Sequence, residues 1–375
     1  MNVLSLFDGI SCGQVALKNA GIKVKNYYAS EIDDYAIGIT KNNFPNTIHL
    51  GNVENIDYSK LPKIDLLIGG SPCQGFSNAG DRLNFKDPRS KLFFEFVKAL
   101  KTVKPKYFLL ENVKMKAEWR DIITKHMGVE PIFINSGDFI PHHRQRYYWT
   151  NIPVKKWSAK KDTLSNYLEQ NPDKKTFLSD TAIKRLESAQ RFRGWFDESS
   201  SHIGCLTANY YKIPSDGSYV NYKGKKRRLS PIECERLQGL DDNYTQYGLF
   251  DKSKKKISNT QRYKAIGNGW TVNVISHIFS GIKTRRTKFR NMKRESKENM
   301  MNKLKSFVPD ITDESFHISF ENDDYGEHIC VYIEKTADNK DSIKQEINTI
   351  IDGWRCVTIL VPNEYIDGIG LREKK

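Results

Sequence analysis

Three short stretches carry the residue types that could do chemistry. The first is Gly69-Gly70-Ser71-Pro72-Cys73-Gln74-Gly75-Phe76-Ser77, a thiol in a loop of glycine and proline directly after the apolar run 64–68. Cysteine is intrinsically nucleophilic, and its thiolate is accessible near neutral pH where positive charge is close. Pro72 fixes a backbone angle, and the glycines leave room for a bulky planar substrate. The second stretch is Glu111-Asn112-Val113, after the apolar run 107–110. Its carboxyl can exchange a proton with, or hydrogen-bond, a substrate attacked by the thiol, although a Glu-Asn pair could equally cap a helix. The third is His142-His143-Arg144-Gln145-Arg146, whose two arginines alternate and so share one face of a strand. They are suited to a phosphate or a carbonyl oxygen, or to an ordinary surface pair.

A fourth stretch, Phe7-Asp8-Gly9-Ile10-Ser11-Cys12-Gly13, follows the apolar run 3–7. Glycines at a strand-to-helix turn let the backbone approach a ligand closely. Glu31 closes the next apolar run, where a carboxylate can grip ribose hydroxyls. This pair alone fits any nucleoside-type cofactor, including that of an NAD-dependent oxidoreductase, or a purely structural turn. An oxidoreductase leaves the Pro-Cys-Gln segment unexplained.

The elements that must position these groups are legible as alternation. Strands are expected over residues 3–7, 27–31, 47–50, 64–69, 107–111, 131–135 and 146–152, with helical patterns between most of them. The clearest helix is 90–103, where Leu92, Phe93, Phe96, Val97, Leu100 and Val103 share a face and Ser90 is the expected N-cap. This predicts an α/β fold, a mostly parallel seven-stranded sheet covered on both sides. Catalytic groups at neighbouring strand ends then face one pocket. Residues 154–227 break the rhythm with Tyr210, Tyr211, Tyr219 and Tyr222 among lysines. Helical pattern returns at Ser230-Pro231-Ile232-Glu233 and again over 271–282. Residues 283–305 are a charge run read as a solvated helix or linker. The remainder predicts a small α+β appendix, with strands at 316–320, 328–333 and 356–361 and a helix at 342–351. The expected domains are 1–153, 154–227, 228–284 completing the first, a basic linker 285–305, and 306–375.

The 375 residues carry a formal net charge of +15, which suits a polyanionic partner. No apolar run approaches the ~18 residues that span a bilayer, which leaves nucleic acid rather than membrane. The six cysteines, at 12, 73, 205, 234, 330 and 356, show no paired spacing. Neither a metal cage nor a disulfide framework is expected, and a reducing interior is.

Taken together, Pro72-Cys73-Gln74, Glu111-Asn112-Val113 and the arginine pair resemble the cytosine-5 DNA methyltransferases, over about residues 1–284 and in the family's motif order. Residues 4–10, 68–73, 92–96 and 146–149 are similar to the catalytic domains of the animal de novo enzymes. The compact middle region looks more like a bacterial or phage enzyme. The resemblance implies a Rossmann-like S-adenosylmethionine-dependent fold with a target-recognition region in 154–227, and Thr207-Ala208-Asn209-Tyr210 falls where the family's recognition region begins. It implies catalytic roles for Cys73, Glu111, Arg144 and Arg146. Cofactor contacts would come from Phe7, Asp8, Gly9, Ile10, Ser11, Cys12 and Gly13, from Glu31 at the ribose and Ile32 against adenine, from Asn52, Val53 and Glu54, from Pro72, and from Asn268, Gly269 and Trp270. Arg228-Leu229-Ser230-Pro231-Ile232-Glu233 matches the motif that organises the recognition region, and His142 stands where glutamine is common. No metal is implied.

The implied reaction moves a methyl group to carbon 5 of a cytosine in duplex DNA. The Cys73 thiolate adds at carbon 6, Glu111 holds ring nitrogen 3 and the exocyclic amine, and the base is turned out of the stack. The loop from Gln74 to about Arg89 is expected to close over it. The alternatives are a transfer-RNA methyltransferase and an inactive DNA-binding homologue. The implied setting is cytoplasmic and nucleoid-associated, in a bacterial or phage-infected cell, as a monomer, with a restriction endonuclease as a possible partner.

Overall fold

The computed structural model describes residues 1–71, 88–160, 162–190, 192, 194–212 and 218–282, together with the backbone of four strands between 316 and 361. Pro72, Cys73, the expected closing loop up to residue 87 and the charge run 283–305 lie outside the described residues. The chain divides into two units, Met1–Ile282 and Lys283–Lys375.

The first unit is built on seven strands: β1 (Asn2–Leu6), β2 (Asn26–Ser30), β3 (Ile48–His49), β4 (Leu66–Gly70), β5 (Tyr107–Val113), β6 (Ile132–Asn135) and β7 (Gln145–Thr150). Their order in the sheet is β3-β2-β1-β4-β5-β7-β6. All neighbouring pairs run parallel except those of β7, which is antiparallel to both β5 and β6. The expected mostly parallel seven-stranded sheet is therefore the observed one.

Why these segments are strands is visible in their alternation. Val3, Leu66, Ile68 and Leu109 face one apolar layer, while Leu4, Leu6, Leu67, Phe108 and Leu110 face the other. With both faces covered, each strand reads as an unbroken apolar run. One face is covered by α1 (Cys12–Asn19) and by α8 (Val272–Phe279), whose Val274, Ile275 and Ile278 are fully buried. The other is covered by α3 (Pro88–Val103), through Phe93, Phe96 and Val97, and by Ile123 and Met127 of α4 (Ala117–Met127). Helix α2 (Asp34–Asn43) follows β2, capped by Asp33. The expected N-cap of α3 is corrected: the helix begins at Pro88, a residue pre-set for a first turn, so Ser90 is interior.

Residues 154–228 contribute α5 (Asp180–Glu187), β8 (Trp195–Phe196), β9 (Tyr219–Tyr222) and β10 (Lys225–Arg228). They share a third apolar cluster with α6 (Pro231–Leu237) and α7 (Asn259–Asn268). Between those helices lies a hairpin, β11 (Tyr247–Phe250) and β12 (Ser253–Lys256). The tyrosines that stand among lysines in the sequence are largely core: Tyr210, Tyr219 and Tyr222 are buried. Arg227 is buried too, in a two-point ion pair with Glu233 at 2.7 Å per contact. Glu233 also completes a capping box with Ser230 at the start of α6.

In the second unit, β13 (Phe316–Asp323), β14 (Gly326–Glu334), β15 (Thr349–Ile351) and β16 (Trp354–Val361) form a sheet of order β13-β14-β16-β15. The helix expected over 342–351 is corrected at its end, where residues 349–351 pair as a strand with β16. Among the described residues no helix is long and apolar enough to cross a membrane.

Candidate active site

The chain passes from β1 outward to β2 and β3, then returns to place β4 on the other side of β1. Strand order reverses there, and a crevice opens beyond the carboxyl ends. A cavity of about 540 Å³ occupies this position. Of the expected cofactor residues, Phe7, Gly9, Ile10, Glu31, Ile32, Asn52, Val53 and Asn268 line it, as do the expected catalytic residues Glu111, Arg144 and Arg146. Asp8, Ser11, Cys12, Gly13, Glu54, Gly269 and Trp270 are not among its lining residues. Cys73 and Pro72 are outside the described residues, but Ser71, the residue before them, faces the cavity.

The turn after β1 is held in an unusual backbone. Phe7 and Ser11 both have φ 58, the left-handed region, with Gly9 at φ 60 between them. For non-glycine residues this costs on the order of 1–2 kcal/mol each, so surrounding bonds must fix it. The Asp8 carboxylate accepts from Ser5 Oγ at 2.6 Å, from Tyr27 OH at 2.7 Å and from Ser11 Oγ. Burial pushes its pKa up to about 6 against the pull of these donors. Asp8 thus ties the turn to the sheet. Cys12 is equally inward-facing, its thiol pushed up to about 12 by burial.

Glu31 fixes the other wall. Its Oε2 accepts from Gly9 N at 2.8 Å, and its Oε1 from Ile32 N at 2.7 Å and Asp33 N at 2.9 Å. A carboxylate offers about four lone-pair sites, so acceptor capacity remains for a ribose diol. Beside it Ile32, also lining the cavity, is an apolar side chain left 71% exposed. Asn52 caps the short turn Val53–Asn55 by accepting from Glu54 N at 3.1 Å. An acid, an exposed aliphatic face and a small amide at successive strand ends form a donor set that fits the adenosine of S-adenosylmethionine.

At the opposite end Glu111, 7% exposed, lies within β5, which runs two residues past the expected end. Its Oε1 is 2.7 Å from Arg146 Nε, and its Oε2 accepts from Trp270 Nε1 at 3.1 Å. Asn112 is no helix cap: its Nδ2 donates to Ser71 Oγ at 3.1 Å, fastening the exit of β4 just ahead of Pro72-Cys73.

The two arginines do different things. Arg146 lies in β7 and pairs with Glu111. Arg144 precedes β7, and its NH1 donates to Leu206 O and Gly267 O at 3.2 Å each. That guanidinium joins the segment at Leu206 to helix α7. Neighbouring His142 is fully buried and accepts from Leu206 N at 2.9 Å. Burial first, then Arg144 and Arg146, push its pKa down to about 3, so it is a neutral acceptor. Sequence reasoning did not single out Cys205, Asp33, Gln261 or Lys264, which also line the cavity. Lys264 Nζ reaches Asp33 Oδ2 at 2.8 Å. The Asp33-Asp34 pair, a helix-start signal, is the feature that could have marked that stretch.

A seven-stranded sheet with one reversed strand, carrying a cavity over its switch point, is the S-adenosylmethionine-dependent methyltransferase fold. Residues 1–284 match the family model for C-5 cytosine-specific DNA methylases, and the chain belongs to that family, a family of DNA (cytosine-5-)-methyltransferases. It is 32% identical over 310 residues to the type II methyltransferase M1.ScrFI of Lactococcus lactis subsp. cremoris, covering 74% of this chain and 76% of that one. It is 30% identical over 315 residues to the type II methyltransferase M.NlaX of Neisseria lactamica, covering 75% and 96%. Among solved structures, the Entamoeba histolytica methyltransferase EhMeth aligns with a TM-score of 0.62 at 19% identity, over 76% of this chain and 99% of that one.

Proposed function

We propose that this protein methylates carbon 5 of a cytosine within a specific duplex DNA sequence through a covalent Cys73 adduct. The observation that carries the reading is the convergence on one cavity of Glu111, held by Arg146, and Ser71, held by Asn112 immediately before Pro72-Cys73. Glu31, Ile32 and the turn 7–11 would hold S-adenosylmethionine at the other end. When bound, that group supplies a methyl activated by positive sulfur.

The chain's own residues then have defined tasks. Carbon 5 of cytosine is a poor nucleophile. The Cys73 thiolate forms a bond to carbon 6, and the displaced π pair makes carbon 5 enamine-like and able to take a methyl group. Negative charge spreads to ring nitrogen 3, where Glu111 offsets it by proton donation while its other oxygen accepts from the exocyclic amine. Arg146 keeps the carboxyl in place throughout. Loss of the carbon-5 proton to water expels the thiolate, and the nitrogen-3 proton returns to Glu111, which restores the ring. Carbon 6 cannot be reached inside a duplex, so the base must be flipped, at a few kcal/mol. The net charge of +15 supplies phosphate attraction toward that end. The relatives named as type II methyltransferases favour a restriction endonuclease as cognate partner.

The test has two stages. Bisulfite sequencing of DNA from cells expressing the protein should reveal 5-methylcytosine in one sequence context. Duplexes of that sequence carrying 5-fluorocytosine should then trap a denaturation-resistant complex with the wild type and none with Cys73→Ser. Full methyl transfer by Cys73→Ser, or transfer to RNA but not to DNA, would overturn the proposal.

A further inference from the structure

We propose that Trp270 is a positioning residue for Glu111, fixing the plane of its carboxylate through the indole N–H. This rests on the reading of Glu111 as the group that meets the base, and adds a contributor from the far end of the chain. Arg146 binds one carboxylate oxygen, Oε1 at 2.7 Å, and Trp270 the other, Oε2 at 3.1 Å. A single donor leaves a carboxylate free to turn about its last bond. Two donors on different oxygens remove that freedom, and placement within a fraction of an ångström is what a proton-exchanging group requires.

The surroundings are shaped for this contact. A Cβ at Gly70 would stand 2.8 Å from the indole nitrogen and 2.9 Å from Glu111 Oε2, so the final residue of β4 has no side chain where the hydrogen bond passes. Gly70 and Glu111 are register partners across β4 and β5. The backbone on either side of Trp270 is clamped in turn. Gln238, at the C-cap of α6, donates from Nε2 to Ile266 O at 2.8 Å and Gly269 O at 3.2 Å. Its Oε1 accepts from Thr271 Oγ1 at 2.8 Å, and its backbone oxygen accepts from Val272 N at 2.8 Å. A path of hydrogen bonds therefore runs from the helix beneath the recognition region, through residues 266–272, to the catalytic carboxylate. Indole is a donor only and does not exchange its proton, so Trp270 holds Glu111 without competing for its task. Trp270 is not among the residues lining the cavity, whereas Asn268, two residues earlier, is.

The competing account is that a half-buried tryptophan simply satisfies its N–H. Trp270→Phe separates the two, since it keeps the ring packing and removes the donor. Single-turnover methylation at saturating DNA and S-adenosylmethionine should slow by about tenfold to a hundredfold, the size of one hydrogen bond to a charged group. Cofactor Kd and Tm should stay near wild type. Gly70→Ala, which drives the indole off the carboxylate from the other side, should reproduce the slow turnover. In a Glu111→Asp background, whose shorter arm is out of the indole's reach, Trp270→Phe should have almost no further effect. Equal losses in both backgrounds, or a cofactor Kd that rises in step with the rate loss, would overturn the proposal. A Glu111→Asp enzyme as fast as wild type would instead sink the underlying role of Glu111.

Discussion

Gly267 packs against the backbone of Thr207 so closely that a Cβ on Gly267 would lie 2.2 Å from the Thr207 carbonyl carbon and 2.4 Å from Ala208 N. Gly267 lies near the end of α7, and Thr207 lines the cavity wall. The glycine is demanded by space, since it is an interior helical residue. The obstacle is backbone, which cannot rotate away. Gly267→Ala must therefore push α7 and the 205–208 segment apart, and Arg144 NH1 loses the spacing that lets it bridge Leu206 O and Gly267 O. Overpacking costs about 1–3 kcal/mol. The variant should melt several degrees lower, and KM for DNA should rise while turnover falls. A variant with wild-type Tm and KM would show that this junction yields without cost.

The Arg227–Glu233 pair makes a second prediction, about stability alone. Both side chains are fully buried, and Glu233 also accepts from Ser230 N at 2.7 Å and Glu169 N at 2.8 Å. Removing one partner strands the other's charge. Arg227→Met should cost roughly 3–5 kcal/mol in urea unfolding. Adding Glu233→Gln removes the stranded charge while its amide oxygen can still accept from Ser230 N, so the double variant should regain part of the loss. A double variant less stable than Arg227→Met would contradict this.

These two sites also mark where the sequence stops being legible. The sheet could be read because strands covered on both faces are uninterrupted apolar runs, and their ends fell within about two residues. The reversal of β7 could not, because alternation of strands and helices carries no direction for the last strand. The middle region misled for a different reason. Tyr210 and Arg227 are polar by composition and buried in fact, because the Tyr210 hydroxyl bonds Ser218 O and Leu229 N and the two terminal nitrogens of Arg227 bond Glu233. Such pairings join residues that no periodicity links. In the site, Glu31 and Glu111 were visible as acids ending apolar runs. The partners of Glu111 were not foreseen: Arg146 was given a catalytic role but no partner, and Trp270 was expected at the cofactor.

His142 gives a prediction in pH. Its pKa is pushed from an ordinary 6.5 down to about 3 in the folded protein by burial and two arginines. The unfolded chain takes up a proton as pH falls below 6.5, and the folded chain does not until near 3. Stability is thus fully present above 6.5 and drains away below it, at up to about 1.4 kcal/mol per pH unit, roughly 3 kcal/mol between pH 6.5 and 4.5. Asp8, raised to about 6, works in the opposite direction over the lower part of that window. His142→Gln isolates the histidine, because an amide oxygen can accept from Leu206 N and does not titrate. The Tm of wild type should fall more steeply than that of His142→Gln from pH 7 to 4.5. Parallel slopes would mean that the imidazole is already solvated or charged.

The cofactor wall supplies the last prediction, and Ile32 is its sharpest probe. A side chain 71% exposed contributes little to folding, so its truncation should leave Tm unchanged. If it lies against the adenine ring, truncation to alanine exposes the base to water and removes dispersion contacts, about 1–2 kcal/mol of binding. Ile32→Ala should then raise the Kd for S-adenosylmethionine about tenfold by titration calorimetry, with turnover at saturation near wild type, because adenine is remote from the methyl being moved. Glu31→Gln should differ in kind. It weakens both the ribose contact and the bonds from Gly9, Ile32 and Asp33 that hold the wall, so affinity and Tm should fall together. An unchanged Kd in Ile32→Ala would place the adenine elsewhere in the cavity and leave this exposed isoleucine without a ligand.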